Sequence, residues 1–285
     1  VQNGCNSFCA YCIVPYARGR SRSVLPDGVL EGIRSLAANG YREVVLTGIH
    51  LGAYGLDLTP ETSLTELVEM VEHERLVSRL RIGSIEPNEV DNDLLGLMAG
   101  SRIICPHLHL PLQSGSDTVL KRMGRRYSPV FFRELVTRAD AMLPDAFIGA
   151  DVIAGFPGET EAEFNDTITL LEELPVSDLH VFPFSSRPGT KAAGMTGHLP
   201  SALIKERAAR LRAVAESKKR AFLGRMTGHC LDVLVQGFNS KTGLCTGLSK
   251  NYIVVAFAGE EAYINRELSV KITASDGESC SGILS

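Results

Sequence analysis

The sequence predicts an α/β fold in which a large unit of parallel strand-helix repeats precedes a small all-β barrel. Three observations carry that prediction. Apolar strand candidates alternate with helical patterns over about the first 200 residues, at intervals of roughly 30 to 40, the rhythm of βαβ units that close into a barrel or a doubly wound sheet. After the longest helical stretch the pattern changes to about five short strands in the remaining 60 residues or so. The length of 285 residues, 44% hydrophobic and 22% charged, suffices for one large core and one small one without disulfide or metal staples.

Taken in order, the strand candidates of the large unit occupy residues 43–49, 80–85, 107–112, 147–156 and 178–184. The helix after Pro26 places Val29, Ile33 and Leu36 on one face and stops at Asn39-Gly40, a C-terminal cap signal. Another opens at Thr160 with Glu163 three residues later, a capping box, and turns Phe164, Ile168 and Leu171 toward the core. In His107-Leu108-His109-Leu110 the leucines share one strand face and the histidines the other. In a barrel the leucines lie under the helices and the histidines face the lumen; Asp151 and Ile153 likewise face opposite to Val152 and Ala154. The two histidines are either lumen ligands or hydrogen-bonded core residues. A helix over residues 200–223, with Ile204, Ala208, Leu211 and Ala215 in register, leads to strands at 230–236, 243–247, 251–258, 267–273 and 279–284. The domains are therefore residues 1–224 and 225–285.

Several classes are excluded. No run of 18 apolar residues exists to span a membrane, and Val1-Gln2-Asn3-Gly4 is neither basic nor apolar as a secretory signal would be. Seven cysteines in a chain of this size do not form a secreted disulfide framework. A cytoplasmic protein is expected. The net charge of -4 hides a strong segregation: residues 1–22 carry +3, 121–138 carry +5 and 201–225 carry +6, leaving -18 for the rest. Concentrated basic segments on a mildly acidic chain suit a face that meets a polyanion, or else solvated helix surfaces.

Three cysteines crowd into eight residues, Cys5-Asn6-Ser7-Phe8-Cys9-Ala10-Tyr11-Cys12. Cys-x3-Cys-x2-Cys can wrap a loop around three irons of a cubane cluster and leave the fourth open, because a closed site takes four cysteines. Zinc is the competing metal, but no fourth Cys or His lies at conventional spacing. Free thiols this close invite oxidation.

On this triad, on Tyr11 before its last cysteine, and on the strand-helix repeat, the chain resembles the radical S-adenosylmethionine (SAM) superfamily. Within it, CNSFCAYCIVPYARGRSRS (5–23), HLPLQSGS (109–116), RMGRRY (122–127) and DVIAGFPGET (151–160) resemble the methylthiotransferases, and the C-terminal strands are similar to the RNA-binding TRAM domain, a small OB-like barrel. The resemblance implies a partial (β/α) barrel, a 4Fe-4S cluster whose open iron binds SAM, and cleavage of SAM to a 5′-deoxyadenosyl radical. VLTGIHLGAYGLD (45–57) is similar to the branch that modifies N6-threonylcarbamoyladenosine beside the tRNA anticodon. The branches acting on isopentenyladenosine or on a ribosomal-protein aspartate are the alternatives, as is a non-catalytic RNA-binding protein with a structural metal.

By resemblance, Cys5, Cys9 and Cys12 ligate the cluster, and Tyr11 and Gly48 contact SAM. Glu86, Gln113, Asp151 and Gly155, at or near strand ends where a barrel's functional residues gather, are further cofactor contacts, with turn formation or packing as the alternative. Arg18, Arg20 and Arg22 are expected to meet tRNA phosphates. The segment 226–285 is net -2, so RNA affinity is expected to come instead from the preceding helix through Lys205, Arg207, Lys218, Lys219 and Arg220. Methylthiotransferases also carry a second 4Fe-4S cluster in an N-terminal domain absent from these residues, and need a reducing donor such as flavodoxin or ferredoxin. Cys105, Cys230, Cys245 and Cys280 are expected to be lone buried thiols.

Overall fold

The computed structural model describes all 285 residues. In chain order its elements are β1 (Gln2–Asn3), α1 (Val14–Arg18), β2 (Arg22–Ser23), α2 (Pro26–Ala38), β3 (Glu43–Leu46), α3 (Leu64–Glu74), β4 (Arg79–Ile82), α4 (Asn92–Gly100) and β5 (His107–Gln113). They continue through α5 (Asp117–Met123), α6 (Pro129–Met142), β6 (Phe147–Ala154), α7 (Glu161–Glu173), β7 (Asp178–Pro183) and α8 (Ser201–Arg225). Five strands follow: β8 (Cys230–Asn239), β9 (Leu244–Ser249), β10 (Val254–Ala258), β11 (Glu267–Ser275) and β12 (Cys280–Leu284).

Local signals start the helices where the chain must turn back over the sheet. Ser63 Oγ accepts from the Glu66 amide at 3.1 Å while the Glu66 carboxylate accepts from the Ser63 amide at 3.0 Å. Thr160 and Glu163 form the same box at 3.2 and 2.8 Å. Each cap contributes about 1 kcal/mol. Helix α2 ends at Asn39, as its Asn-Gly signal requires, but it buries Val29, Leu30 and Ile33 and leaves Leu36 39% exposed. Leu30 rather than Leu36 completes the core face.

Strand β3 pairs in parallel with β4, and β5, β6 and β7 pair in parallel with one another. Residues flanking the strands join the two sheets: the Leu80 amide donates to Ile103 O at 2.7 Å, and the Ile85 amide to His109 O at 3.1 Å. The stub β1 touches the end of β3 through a parallel Gln2–Gly48 bridge. The result is an open barrel of six parallel strands, β1-β3-β4-β5-β6-β7, with helices outside. Leu108, Leu110, Ile148, Ala150 and Val152 face those helices in the main core, as strand parity predicts. Burying each large aliphatic contributes about 1.5–3 kcal/mol.

The last five strands form a closed barrel in the order β10-β12-β11-β8-β9. It plugs the N-terminal end of the open barrel. Arg79 donates to Leu248 O at 2.8 Å and Arg81 to Lys250 O at 3.0 Å, while both pair with Glu43 at 2.6 and 2.8 Å. Tyr252 packs on His107 with ring centroids 4.6 Å apart and on Phe147 at 5.5 Å. His107 is thus a core residue. Burial first, then the neighbouring Arg81, drives its pKa down to about 3, so it is neutral. Cys105, Cys245 and Cys280 are buried as expected; Cys230 is exposed, because its strand end faces solvent at the barrel rim. No helix is long and apolar enough to cross a membrane.

Candidate functional site

The cysteine loop lies between β1 and α1, at the opposite end of the open barrel from the plug. It begins at Gly4, whose φ is +75° and where an added Cβ would fall 2.0 Å from Arg20 O. Only glycine lets the chain press this closely on its own return strand. The Cys5 amide then donates to Gly19 O at 3.1 Å, and the Cys12 amide to Cys9 O at 3.0 Å. Buried Ala10 pins the loop on both sides: its amide donates to Met123 O at the end of α5 (2.8 Å), and its carbonyl accepts from Ala192 at 2.7 Å.

All three thiols are free and half-buried. Cys5 Sγ accepts from the Ser7 amide at 3.3 Å and lies 3.5 Å from His50 Nδ1, whose Nε2 meets Glu89 at 2.6 Å. Burial raises the Cys5 thiol, but these hydrogen bonds outweigh it and leave it below the ordinary cysteine value. Burial pushes the Cys12 thiol up, and the neighbouring Cys9 and Cys5 add to this. Cys9 Sγ accepts from Arg125 Nη1 at 3.3 Å, and the same guanidinium reaches Tyr11 Oη at 3.4 Å, Tyr127 Oη at 3.0 Å and the Glu86 carboxylate.

Tetrahedral zinc with Zn–S bonds of about 2.3 Å holds its sulfurs about 3.8 Å apart. The three thiols do not converge within 4.8 Å of one another; the only trio of ligating groups that does is His109, Asp151 and His180. A set of three cysteines suits a cubane cluster that keeps one iron for another ligand.

Tyr11 and Glu86 come together with Cys9 on Arg125. Gly48 borders the loop, since a Cβ there would meet Gln2 at 3.0 Å, and Gln2 in turn accepts from the His50 amide at 2.8 Å. Gln113 ends β5 buried and left-handed, with φ +67°. It follows the carbonyls of Pro111 and Leu112 that receive the Tyr127 hydroxyl. Asp151 lies lower, on the inner wall, bonded to His109 at 2.7 Å. Gly155 stands apart: its amide donates to Glu159 at 3.0 Å, and a Cβ would strike Ile204 of α8 at 2.7 Å, so packing accounts for it. Sequence reasoning assigned no role to His50, Glu89, Arg125 or Tyr127. His50 does lie in the 45–57 segment and the last two in RMGRRY.

The radical SAM superfamily profile matches residues 1–171. The chain belongs to the radical SAM superfamily. It is 38% identical over 275 residues, 95% of its length, to the threonylcarbamoyladenosine tRNA methylthiotransferase MtaB of Bacillus subtilis. It is 37% identical over 274 residues, again 95%, to the tRNA-2-methylthio-N(6)-dimethylallyladenosine synthase of Acetivibrio thermocellus. These matches cover 61% and 57% of the two relatives, so the chain spans about three fifths of their length. Among solved structures, the radical SAM methyltransferase TsrM of Kitasatospora setae, with cobalamin and a 4Fe-4S cluster bound, aligns with a TM-score of 0.56 at 19% identity. That match covers 67% of this chain and 37% of TsrM, and it speaks for the fold alone. Membership of the radical SAM superfamily implies a 4Fe-4S cluster and SAM, for which the Cys5, Cys9 and Cys12 loop is the matching donor set.

The basic residues of this radical SAM chain divide sharply. Arg18, Arg20 and Arg22 are exposed beside the cysteine loop with no carboxylate partner, and exposed Arg126 lines the cleft next to Cys9. Four of the eight α8 cations, Arg207, Arg210, Lys218 and Lys219, are occupied. Arg207, expected to meet RNA, is instead 2% exposed and bonded to Glu159 at 2.7 Å, because α8 packs this face on the loop after β6. Lys218 donates to Glu172 O and Leu174 O, both at 2.7 Å, capping α7, and Lys219 pairs with Glu278. Lys205, Arg212, Arg220 and Arg225 remain exposed.

Proposed function

We propose that this chain carries the radical SAM centre of a tRNA methylthiotransferase that acts at carbon two of N6-threonylcarbamoyladenosine next to the anticodon. The observation that supports it best is the pinned Cys5, Cys9 and Cys12 loop in a chain alignable along 95% of its length with relatives named for that chemistry. When bound, the cluster and SAM supply the one-electron cleavage that starts the reaction. The residues here hold and shield that chemistry. Arg125 fixes the Cys9 sulfur and the half-buried Glu86 carboxylate in one hydrogen-bonded set. Tyr11, Gly48, Gln113 and the polar inner wall offer contacts to the methionyl, adenine and ribose groups, and the C-terminal barrel closes the far end against water.

Arg18, Arg20, Arg22 and Arg126 present free cations where an RNA backbone would approach. A second cluster belongs to this proposal but finds no ligand set among Cys105, Cys230, Cys245 and Cys280. Electrons come from a low-potential donor of the flavodoxin or ferredoxin kind. Because the dimethylallyladenosine relative is as similar as the threonylcarbamoyl one, methylthiolation of isopentenyladenosine is the second reading. Anaerobic reconstitution tests the centre: about four irons per chain and SAM cleavage are expected, and a Cys9→Ala protein that keeps its iron refutes it. Nucleoside mass spectrometry of tRNA from cells lacking the gene tests the substrate. Loss of the methylthio group from threonylcarbamoyladenosine alone supports the first reading, and loss from isopentenyladenosine the second.

A further inference from the structure

We propose that His180, held by Asp151 on the inner wall of the open barrel, is the group that binds an anionic N6 substituent of the substrate adenosine; this rests on the tRNA reading above. The register of three strands builds the site. Asp151 on β6 lies beside His180 on β7 and one step from His109 on β5. Asp151 Oδ1 is 2.7 Å from His109 Nε2 and 3.4 Å from His180 Nδ1, and the two imidazoles lie tilted by 38° with centroids 4.6 Å apart. Gly149 makes room for this, since a Cβ there would sit 2.9 Å from His109 Nδ1.

The histidines differ in exposure. His109 is 12% exposed and supports Asp151 from within the wall, whereas His180 is 59% exposed to the lumen, and its Nε2 has no partner in the protein. A carboxylate behind an imidazole fixes its tautomer and orientation and favours its charged form. Burial works to raise the Asp151 carboxyl, yet the two imidazoles hold it down to about 2, and the Asp151 bond lifts His180 above the ordinary histidine value. One layer below, the floor sets Arg79 and Arg81 against the single carboxylate of Glu43. Those arginines are sealed by Glu43 and by carbonyls of the C-terminal barrel, and the Asp178 carboxylate also acts on His180, so what the wall offers to a ligand in the lumen is the outward Nε2–H of His180.

The two substituents carried by the candidate substrates differ in the property this wall reads. A threonylcarbamoyl arm bears a free carboxylate and a hydroxyl; a dimethylallyl arm is hydrocarbon and would desolvate His180 without satisfying it. A charge-assisted hydrogen bond gained by one ligand and missing from the other is worth about 10- to 100-fold in affinity. A divalent cation is the competing occupant, because the three ligating atoms lie within 4.8 Å. His109 Nε2 and His180 Nδ1 both turn to Asp151, which leaves the outward His180 Nε2 as the free atom of the set, a donor suited to an anion.

The test uses the anaerobically reconstituted protein and anticodon stem-loop RNAs identical except for the adenosine, which is unmodified, threonylcarbamoyl or dimethylallyl. The native protein should bind the threonylcarbamoyl RNA about 10- to 100-fold more tightly than the dimethylallyl RNA. His180→Leu should collapse that ratio to near one by weakening only the threonylcarbamoyl complex, and His180→Lys, which restores a cation, should recover most of it. Native-like melting of both variants excludes misfolding as the cause. An unchanged ratio in His180→Leu, a native ratio of one or less, or a zinc or iron ion beyond the cluster that Asp151→Asn releases, would each overturn the proposal. SAM cleavage separates it from the reading beneath: the expected affinity ratio in a reconstituted protein that holds no cluster and cleaves no SAM keeps the subsite and removes the radical SAM reading, and SAM cleavage with an affinity ratio of one does the reverse.

Discussion

Arg207→Met would show whether the most buried cation of α8 serves the fold or the RNA. Arg207 Nη1 meets Glu159 Oε2 at 2.7 Å and Glu159 O at 2.9 Å, Nη2 meets Glu161 at 3.1 Å, and the guanidinium lies 5.1 Å from the Phe164 ring centre. The side chains of Arg207 and Glu159 are 3% and 1% exposed. Methionine keeps much of the volume but leaves the Glu159 carboxylate buried with only the Gly155 amide for company. Breaking such a pair from one side costs about 3–5 kcal/mol, which lowers the melting temperature by roughly 6–20 °C in a chain of this size. The sign with pH follows from Glu159. Burial already raises its pKa even against Arg207, so its contribution to stability falls as pH rises from the ordinary carboxylate range through the folded pKa. Removing Arg207 raises that pKa further, so the deficit of the variant should be largest near neutrality and shrink toward about pH 5. Thermal unfolding by circular dichroism at the two pH values reads both effects, and adding Glu159→Met should recover most of the loss. An Arg207→Met protein that melts like the native one while losing RNA affinity would refute the reasoning.

Other perturbations follow from the same geometry. Arg125→Gln removes the charged donor to Cys9 and should move the midpoint potential of the reconstituted cluster to a more negative value; redox titration followed by electron paramagnetic resonance checks this, and an unmoved midpoint counts against it. Gly155→Ala puts a Cβ 2.7 Å from Ile204 at a φ of +80°, and calorimetry should find about 1–3 kcal/mol of stability lost. Changing Arg18, Arg20 and Arg22 to glutamine together should flatten the slope of log affinity for tRNA against log salt by about 2–3. Lys218→Gln with Lys219→Gln should leave that slope unchanged, and a comparable flattening there would show that α8 binds the backbone after all.

Much of the fold was legible because its signals are local. Alternation in 107–110 places Leu108 and Leu110 under helices and the histidines inward, and Thr160 with Glu163 starts α7 where the capping box says. What was not legible depends on pieces far apart in the chain. The apolar run 43–49 reads as one strand, but pairing ends at Leu46, where Gly48 turns to bridge Gln2 and the chain leaves the sheet. Arg79 and Arg81 look like surface residues in any hydrophobicity pattern. They are buried because β9 and the turn after it, some 169 residues later, bring carbonyls and Tyr252 to the barrel floor.

The candidate site divides in the same way. Three thiols in eight residues announce a metal loop, whereas the groups that hold them are distant: His50 from Cys5 by 45 positions, Arg125 from Glu86 by 39 and from Cys9 by 116. Charge is the instructive case. The basic count of α8 exceeds that of the first 22 residues, yet a cation is free only if no acceptor reaches it in space. Lys218 finds carbonyls 44 and 46 positions upstream and Lys219 a carboxylate 59 downstream. Both lie on a helix wedged between α7 and the C-terminal barrel, where partners abound. Arg18, Arg20 and Arg22 stand in a segment without a single acid, and the Asp57 carboxylate beside Ser23 is taken by the Ser23 amide and hydroxyl at 2.9 and 2.6 Å. Half of the eight α8 cations find partners in this way, whereas none of the three in the acid-free segment meets a carboxylate, so the local absence of acids marks an available cation more surely than the density of bases does.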